Sequence, residues 1–226
     1  MSDATIRLTI DGTPVEVAPG TTLFDAARLC GVDIPALCHD PRLPPVGVCR
    51  LCVVDTGART FPAACVRACE SGMEVRTHTE ELLHHRRTLL QLLLADYPED
   101  ALREATGGND ELLEQARAHG ITAVPFPARP AAEEPPRDLS SPVIAVDHRA
   151  CILCDRCIRG CNALQHNDVI TRTGKGRGAR IAFDLDAPMG ESTCVSCGEC
   201  LAVCPTGALV DASLRNALDA NDEVSS

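Results

Sequence analysis

Two runs of closely spaced cysteines constrain this chain more than any other feature of its sequence. Each run has three cysteines at every third position and a fourth cysteine four residues later. They are Cys151, Cys154, Cys157 and Cys161, and then Cys194, Cys197, Cys200 and Cys204, which Pro205 follows. Three thiolates at this spacing reach one face of an iron–sulfur cluster if the backbone wraps around it. Structural zinc sites are the alternative, but they need only close cysteine pairs and have no use for the third thiolate.

The composition limits where the chain works and what it binds. Fourteen cysteines in 226 residues, behind an N-terminus without an apolar signal-peptide core, favour reduced thiols in the cytoplasm over disulfides. The longest largely apolar run, 89–94, is too short to cross a bilayer, so we expect no direct membrane insertion. A net charge of -11 and 2% aromatic residues argue against nucleic-acid binding, which needs cations and stacking rings.

The two runs resemble those of bacterial two-cluster ferredoxins, in which the fourth cysteine of each run binds the other cluster. Strand candidates at 169–170 and 180–183, and again at 209–210, follow the runs and suggest an internal repeat. The resemblance implies two [4Fe-4S] clusters with crossed ligands. The first would be bound by Cys151, Cys154, Cys157 and Cys204, and the second by Cys161, Cys194, Cys197 and Cys200.

The N-terminal segment has the pattern of a β-hairpin followed by a helix. Thr5–Ile10 alternates polar and apolar residues, Asp11–Gly12 is a two-residue turn signal, and Val15–Val17 returns as a second strand. A threonine cap then leads into a helical pattern over Leu23–Cys30, which Gly31 ends. This order predicts the opening of a β-grasp fold.

Four further cysteines follow: Cys38, Cys49, Cys52 and Cys65. Their order is that of plant-type [2Fe-2S] ferredoxins, which have a single cysteine, then a close pair, then a distant cysteine. The gap between the single cysteine and the pair is longer here. The irregular spacing alone would also suit a zinc loop or unrelated buried thiols. We expect a short strand at Leu51–Asp55 and a turn at Thr56–Gly57 before the last cysteine.

The sequence around these cysteines resembles a family of iron–sulfur subunits. Leu37–Leu43, Gly47–Val54 and Ala64–Cys65 are similar to the N-terminal part of the complex I 75-kDa subunit. They are also similar to the diaphorase small subunit of NAD-reducing hydrogenases and to the alpha subunit of NAD-dependent formate dehydrogenase. The resemblance covers residues 1–98 and 142–212. It implies a [2Fe-2S] cluster on the four N-terminal cysteines, and as partners a flavin/NAD(H)-binding subunit and a metal-containing catalytic subunit of hydrogenase or formate dehydrogenase type.

The chain departs from this family in its middle. A helix pattern capped by Thr79 runs to Leu94, and in the family it leads to a further [4Fe-4S] site with one histidine and three cysteine ligands. No cysteine lies between Cys69 and Cys151, so we expect that site to be missing. Instead, 101–118 reads as helical, with a break at 107–108 and a stop at 120. The positions that match the missing ligands are Tyr97, Ala101, Glu104 and Asp110.

Together these patterns predict an α+β protein with five segments. An N-terminal β-grasp [2Fe-2S] domain would be joined to a C-terminal two-cluster [4Fe-4S] ferredoxin-like domain by a helical connector and a Pro/Ala-rich linker. The predicted segments are 1–78 for the first domain, 79–121 for the connector, 122–141 for the linker, 142–212 for the second domain and 213–226 for a polar tail.

Several other residues have side chains or spacings typical of functional sites. Cys30 reads as a small core residue of the first helix, and Cys69 as a spare, partly buried thiol, with a substitute ligand as the alternative. The loop 174–179 loosely fits a dinucleotide-binding pattern, but a strand follows it, so we predict a glycine-rich hairpin that offers Lys175 and Arg177 to an acidic partner. Four histidines, His39, His84, His85 and His148, are not expected to be metal ligands. Of these, His84 and His85 are predicted to lie on a solvated helix face.

The predicted function is a non-catalytic electron-transfer subunit that relays single electrons within a multi-subunit oxidoreductase. The sequence has no nucleophile–base set, flavin motif or convincing NAD site that would let the chain oxidise a substrate alone. A free-standing polyferredoxin is the alternative, and an iron–sulfur redox sensor would need a signalling element that the sequence lacks. The terminal substrate, the direction of electron flow and the reduction potentials are not encoded in any motif.

Overall fold

The computed structural model describes residues 5–99, 103, 109–130, 133 and 135–214. It divides the chain into two compact units. The first unit comprises Met1–His39 and Pro45–Leu89, and the second comprises Asp40–Pro44 and Leu90–Ser226.

A three-stranded sheet forms the base of the first unit. Strands β1 (Ile6–Ile10) and β2 (Thr13–Val17) pair antiparallel, as predicted. The turn between them places Asp11 at φ 47° and Gly12 at φ 80°, the left-handed backbone that a tight hairpin requires at both central residues. Strand β3 (Glu74–Val75), which the sequence did not predict, pairs parallel to β1, so the strand order is β2-β1-β3.

The first helix covers this sheet. Helix α1 (Leu23–Leu29) begins at Thr22, whose hydroxyl accepts a hydrogen bond from the Asp25 backbone N–H at 3.1 Å. It ends at Leu29, one residue earlier than predicted, with Cys30 as the C-cap, because Gly31 adopts φ 74° and turns the chain away. Its buried face joins the apolar face of β1 in one core, which confirms the β-grasp opening.

The predicted strand at Leu51–Asp55 is wrong. Only isolated bridges form there, between Val53 and Ala63 and between Asp55 and Arg76. The Arg86 side chain donates to the carbonyl oxygens of Leu51 and Val53, so these acceptors are satisfied without a continuous strand ladder. The segment is therefore a loop held by a side chain from a distant helix.

Helix α2 (Glu80–Ala95) follows the expected pattern. The Thr79 hydroxyl accepts a hydrogen bond from the Leu82 backbone N–H at 3.2 Å, as a helix cap does. Leu82, Arg86 and Leu90, four residues apart, are its fully buried side chains. In the part of the chain that the structure describes, no helix is long and apolar enough to cross a membrane.

The second unit contains short helices and two small antiparallel sheets. Helix α3 (Glu111–Ala118) is the described part of the helix predicted at 101–118; residues 101, 102 and 104–108 of that prediction lie outside the described residues, as does 215–226 of the predicted tail. Strand β4 (Ile144–Val146) pairs with β7 (Leu209–Asp211), and β5 (Ile170–Thr173) with β6 (Arg180–Phe183). Helices α4 (Arg156–Arg159) and α5 (Glu199–Val203) lie within the two cysteine runs.

The glycine-rich loop between β5 and β6 is a hairpin connection, as predicted. Gly174 has φ 75°, and a Cβ atom there would lie 2.2 Å from the Gly178 carbonyl oxygen. Only glycine fits this position, so the turn itself requires Gly174.

Candidate iron–sulfur sites

Four cysteine thiols of the first unit lie close together. The backbone N–H of Cys38 donates to Cys49 Sγ at 3.4 Å, and the thiols of Cys52 and Cys65 lie 3.4 Å apart. The Cys38 thiol also hydrogen-bonds to the thiols of Cys49 and Cys65, which connects the two pairs. Cys49 is half-buried and the other three are buried. The loop thus gathers all four predicted [2Fe-2S] ligands.

The proximity of these thiols shifts their acidity in opposite directions. Hydrogen bonds from the Cys49 and Cys65 thiols lower the pKa of Cys38 to about 2. The hydrogen bonds with Cys38 raise the pKa of both Cys49 and Cys65, because each then keeps its proton to support the neighbouring thiolate. Four thiolates can coexist here only if cations compensate their charge, and iron ions would supply that compensation. The site therefore fits a thiolate-ligated cluster.

Arg86 positions this loop from α2. It is 1% exposed, and its guanidinium donates to the Leu51 carbonyl at 3.2 Å and to the Val53 carbonyl at 2.9 Å, on either side of Cys52. Burial lowers the pKa of Arg86, and its electrostatic interaction with Cys52 acts in the opposite sense. Sequence reasoning missed this residue, although a basic residue between Leu82 and Leu90 on an apolar stripe was a visible signal.

The two cysteine runs of the second unit have the same backbone path. Leu153 and Asp155 in the first run have φ 55° and 63°, and Ser196 and Gly198 in the second have φ 55° and 77°. In each run these residues flank the second cysteine. Left-handed residues alternating with right-handed ones turn successive N–H groups toward one side of the chain, which forms an anion-binding concavity. The predicted repeat is thus present in the backbone.

The structure brings the fourth cysteine of each run beside the first three of the other. The electrostatic interaction with Cys204 raises the pKa values of the first three thiols of the first run, Cys151, Cys154 and Cys157. Cys161 lines one cavity with the first three cysteines of the second run, together with apolar side chains such as Ile144 and Ile170. One group contains Cys151, Cys154, Cys157 and Cys204, and the other contains Cys161, Cys194, Cys197 and Cys200.

Burial dominates the acidity of these thiols. It raises the pKa of Cys151 to about 11 and that of Cys200 to about 12, and it raises the pKa values of Cys154 and Cys157 as well. Without metal these groups are therefore thiols at neutral pH, and metal binding must release their protons. Soft thiolate ligands in a largely buried setting suit iron–sulfur clusters.

Polar groups next to the thiols hold them in place. The Ser196 backbone N–H donates to Cys194 Sγ at 3.4 Å. The Thr206 hydroxyl donates to the Ala150 carbonyl at 2.8 Å and lies 3.7 Å from Cys204 Sγ, so it ties the end of the second run to the start of the first. Such contacts orient ligands and tune the metal group they bind.

Buried arginines within the first run reach into other parts of the second unit. Arg156 Nη1 donates to Glu111 Oε1 at 2.7 Å, and Arg159 Nη1 donates to the Pro44 carbonyl at 2.7 Å. Arg42 pairs with Glu199 at 3.2 Å, which anchors the same Asp40–Pro44 loop to α5. Charged residues inside a cysteine run could have been read as packing contacts, but sequence spacing does not identify their partners.

The remaining candidate residues have structural surroundings. Half-buried Cys30 packs against the core of the first unit, and Cys69 lies within that core, more buried than predicted. Burial raises the pKa of Cys69. His39 packs its ring against Phe24 at 4.4 Å. His84 is exposed as expected, but His85 is half-buried, so its assignment to a solvated face is wrong. Among the described residues, no group of three or more His, Cys, Asp or Glu side chains is arranged to hold a single metal ion, so the cysteine groups fit larger iron–sulfur clusters and not mononuclear sites.

Two of the four positions matched to the missing histidine-and-cysteine site are described by the structure. The Tyr97 hydroxyl donates a hydrogen bond to Asp110 Oδ2. Burial, and then this hydrogen bond, raise the pKa of Tyr97, so the phenol is neutral. Ala101 and Glu104 lie outside the described residues.

Both cysteine-rich regions match known domain families. Residues 3–80 match the 2Fe-2S iron-sulfur cluster binding domain, and residues 150–208 match the 4Fe-4S dicluster domain. Together with the fold and the grouped thiols, these matches define an iron–sulfur protein. It has one [2Fe-2S] domain and one [4Fe-4S] dicluster domain.

Similar proteins define the family more narrowly. A chain in the crystal structure of the NAD+-reducing [NiFe]-hydrogenase in the H2-reduced state superposes with a TM-score of 0.83 at 30% identity, over 92% of this chain and 88% of that one. The NADP-reducing hydrogenase subunit HndD of Solidesulfovibrio fructosivorans is 36% identical over 91% of this chain and 36% of its own length. An NADH-quinone oxidoreductase subunit of Rhizobium meliloti is 33% identical over 93% of this chain and 24% of its own.

The chain belongs to the family of iron–sulfur electron-transfer subunits found in NAD(P)-linked hydrogenases and NADH-quinone oxidoreductases. It spans about a quarter to a third of the length of these two curated relatives. The hydrogenase chain, in contrast, is matched over most of its length.

Proposed function

We propose that this chain binds three iron–sulfur clusters and relays single electrons within a multi-subunit oxidoreductase of the cytoplasm. A [2Fe-2S] cluster would be bound by Cys38, Cys49, Cys52 and Cys65. Two [4Fe-4S] clusters would be bound by Cys151, Cys154, Cys157 and Cys204, and by Cys161, Cys194, Cys197 and Cys200. The expected iron content is about ten per chain, from two plus four plus four.

The observation that carries this proposal is the exchange of the fourth cysteine between the two runs. Cys204 lies with the first run and Cys161 with the second, so each group of four thiols draws on both runs. Two independent zinc sites would give no reason for this exchange, because each could be completed by its own cysteine pairs. Two adjacent cubane clusters explain it directly.

The chain's own residues would place and tune the redox groups. Clusters of this kind supply one-electron chemistry when bound. Eight of the twelve cysteines are buried, which limits access of water, although Cys197 is exposed. Backbone N–H groups such as that of Ser196 donate to sulfur, which stabilises negative charge on it. The positive charge of Arg86 near Cys52 acts in the same direction.

The proposed partners are a flavin/NAD(H)-binding subunit and a metal-containing catalytic subunit of hydrogenase or formate dehydrogenase type. The similarity to a chain of an NAD+-reducing [NiFe]-hydrogenase over most of that chain supports this choice. The described surface also offers an exposed basic hairpin tip, at Lys175 and Arg177, on an otherwise acidic chain. Opposite charges favour docking to an acidic partner surface.

Ligand replacement combined with metal analysis tests the cluster assignment. We would purify the native complex anaerobically, measure iron and sulfide, and record EPR spectra of Cys204→Ser, Cys161→Ser and the control Cys30→Ser. The crossed assignment predicts that Cys204→Ser perturbs the cluster whose other ligands lie in the first run, and that Cys161→Ser perturbs the other. Cys30→Ser should leave the spectra and the iron content unchanged, because Cys30 is a core residue.

Three results would contradict parts of the proposal. About four irons per chain would refute three clusters, and about fourteen would mean that a further [4Fe-4S] site exists after all. If each replacement perturbs only the cluster whose other ligands lie in the same run as the replaced cysteine, the crossed assignment is wrong. Purification as a monomer without flavoprotein or catalytic subunits would favour a free-standing polyferredoxin.

A further inference from the structure

The four residues Cys204–Gly207, at the end of the second run, form a fully buried loop. Buried backbone groups must find hydrogen-bond partners, and several partners of this loop lie outside it. The Pro205 carbonyl accepts from the Glu111 backbone N–H at 2.8 Å, and the Gly207 N–H donates to the Tyr97 hydroxyl at 3.4 Å. Arg103 Nη1 donates to the Thr206 carbonyl at 3.1 Å and also to the carbonyl of Cys204. All of these partners come from residues 97–111.

Tyr97 and Asp110 lie at the centre of this set of contacts. Asp110 is 0% exposed, so its carboxylate must be satisfied inside the protein. One oxygen accepts from the Leu113 backbone N–H at 3.1 Å and thereby caps α3, and the other accepts from the Tyr97 hydroxyl. Asp110 therefore fixes both the start of α3 and the phenol that binds Gly207.

The start of α3 is also connected to the first cysteine run. Glu111, whose N–H binds the Pro205 carbonyl, accepts from Arg156 at 2.7 Å through its side chain. Arg156 directly precedes Cys157. Tyr97, Arg103 and Glu111 thus contact both runs that contribute thiols to the group around Cys204.

We propose that Tyr97 and Asp110 are positioning residues that hold Cys204 as the fourth ligand of the cluster bound by Cys151, Cys154 and Cys157. The inference rests on the proposed function, because it assumes that these four cysteines bind a cluster. Two of the positions that match the ligands of the missing site would thus support the neighbouring cluster instead. Loss of the Tyr97 hydroxyl would free the Gly207 N–H and one oxygen of a buried carboxylate, and the Cys204 loop would open more often.

Iron release to a chelator measures this opening directly. Tyr97→Phe keeps the ring and removes only the hydroxyl. We expect about four of the roughly ten irons of the full chain to be released about ten-fold faster, which corresponds to ~1.4 kcal/mol. The other irons should leave at the wild-type rate. EPR-monitored redox titration should show a shifted midpoint potential for one [4Fe-4S] cluster and unchanged potentials for the other two.

Thr77→Val is the matched control. Thr77 is also fully buried, and its hydroxyl also donates to a carboxylate, that of Asp11, but it lies in the first unit. We expect it to lower the unfolding temperature without changing the release of the four irons or the potential of either [4Fe-4S] cluster. Asp110→Asn is the second variant, in case Tyr97→Phe does not accumulate. It keeps the shape of the cap but removes the charge, and should speed release of the same four irons.

The outcomes separate this inference from the proposed function. Wild-type protein with about six irons would contradict the proposed clusters themselves. Wild-type protein with about ten irons, and variants whose iron release and potentials equal those of the wild type, would overturn only the positioning role. Equal acceleration of iron release from all clusters would also overturn it, because that would indicate general destabilisation.

Discussion

Replacing Arg86 by lysine tests how much a buried side chain contributes to the first cysteine loop. Its guanidinium reaches two carbonyl oxygens at once, those of Leu51 at 3.2 Å and Val53 at 2.9 Å. A lysine retains the positive charge, but its compact ammonium cannot span both oxygens as the planar fork of arginine does. Arg86→Lys should therefore lose about one of the two hydrogen bonds while the electrostatic interaction with Cys52 remains.

The expected loss can be worked out from these contacts. A hydrogen bond to a charged group contributes about 1.5–3 kcal/mol, and a buried acceptor without a partner adds to the cost of removing it. We take about 2 kcal/mol for Arg86→Lys, since the lysine keeps one contact and water cannot replace the other at a side chain that is 1% exposed. For a domain of 60–100 residues, 1 kcal/mol shifts the unfolding temperature by roughly 4–8 °C, so the shift should be about 8–16 °C.

The assay is thermal unfolding of the complete chain at one fixed heating rate, followed by the visible circular dichroism of the [2Fe-2S] group. Arg87→Lys is the control, because Arg87 is the exposed neighbour on the same helix and the same change there should cost within about 0.5 kcal/mol. An Arg86→Lys protein that unfolds at the wild-type temperature, or no lower than Arg87→Lys, would refute the reasoning.

Two further predictions concern Tyr97 and Lys175. The pKa of Tyr97 is raised in the folded chain, so the unfolded chain loses this proton at a lower pH than the folded chain does. The free energy of unfolding should therefore be unaffected below pH about 10, the ordinary tyrosine pKa, and should fall as the pH rises above it. Tyr97 is the only tyrosine and the chain has no tryptophan, so tyrosinate absorbance should appear only together with unfolding, and its appearance in folded protein would contradict the buried hydrogen bond. Lys175 is the only lysine and is exposed at the β5–β6 hairpin, so a carbodiimide should join it to carboxylates of a partner subunit at low salt. Mass spectrometry should find a peptide that links Lys175 to the partner, and Lys175→Arg should remove that peptide. Its absence from the wild-type complex would exclude the hairpin as the docking element.

Local elements could be predicted where the deciding contacts lie within a few residues. The β1–β2 hairpin depends on the Asp11–Gly12 turn, and the starts of α1 and α2 depend on hydroxyl groups of Thr22 and Thr79. Strand β3 was missed because two residues carry too little pattern, and its pairing partner β1 lies more than sixty residues away. The Leu51–Asp55 segment has the composition of a strand, but a side chain from α2 takes its carbonyl groups.

The sequence by itself determined the chemistry of this protein. The spacing of twelve cysteines, the domain order and the absence of cysteine between Cys69 and Cys151 are all properties of the chain read in one dimension. Tertiary structure decided which thiols meet and what supports them. The grouping of Cys204 with the first run, the Arg86 contacts and the Tyr97–Asp110 pair join residues that are 13 to about 50 positions apart. Such contacts depend on how the chain folds back on itself, and neither local propensity nor residue spacing encodes that path.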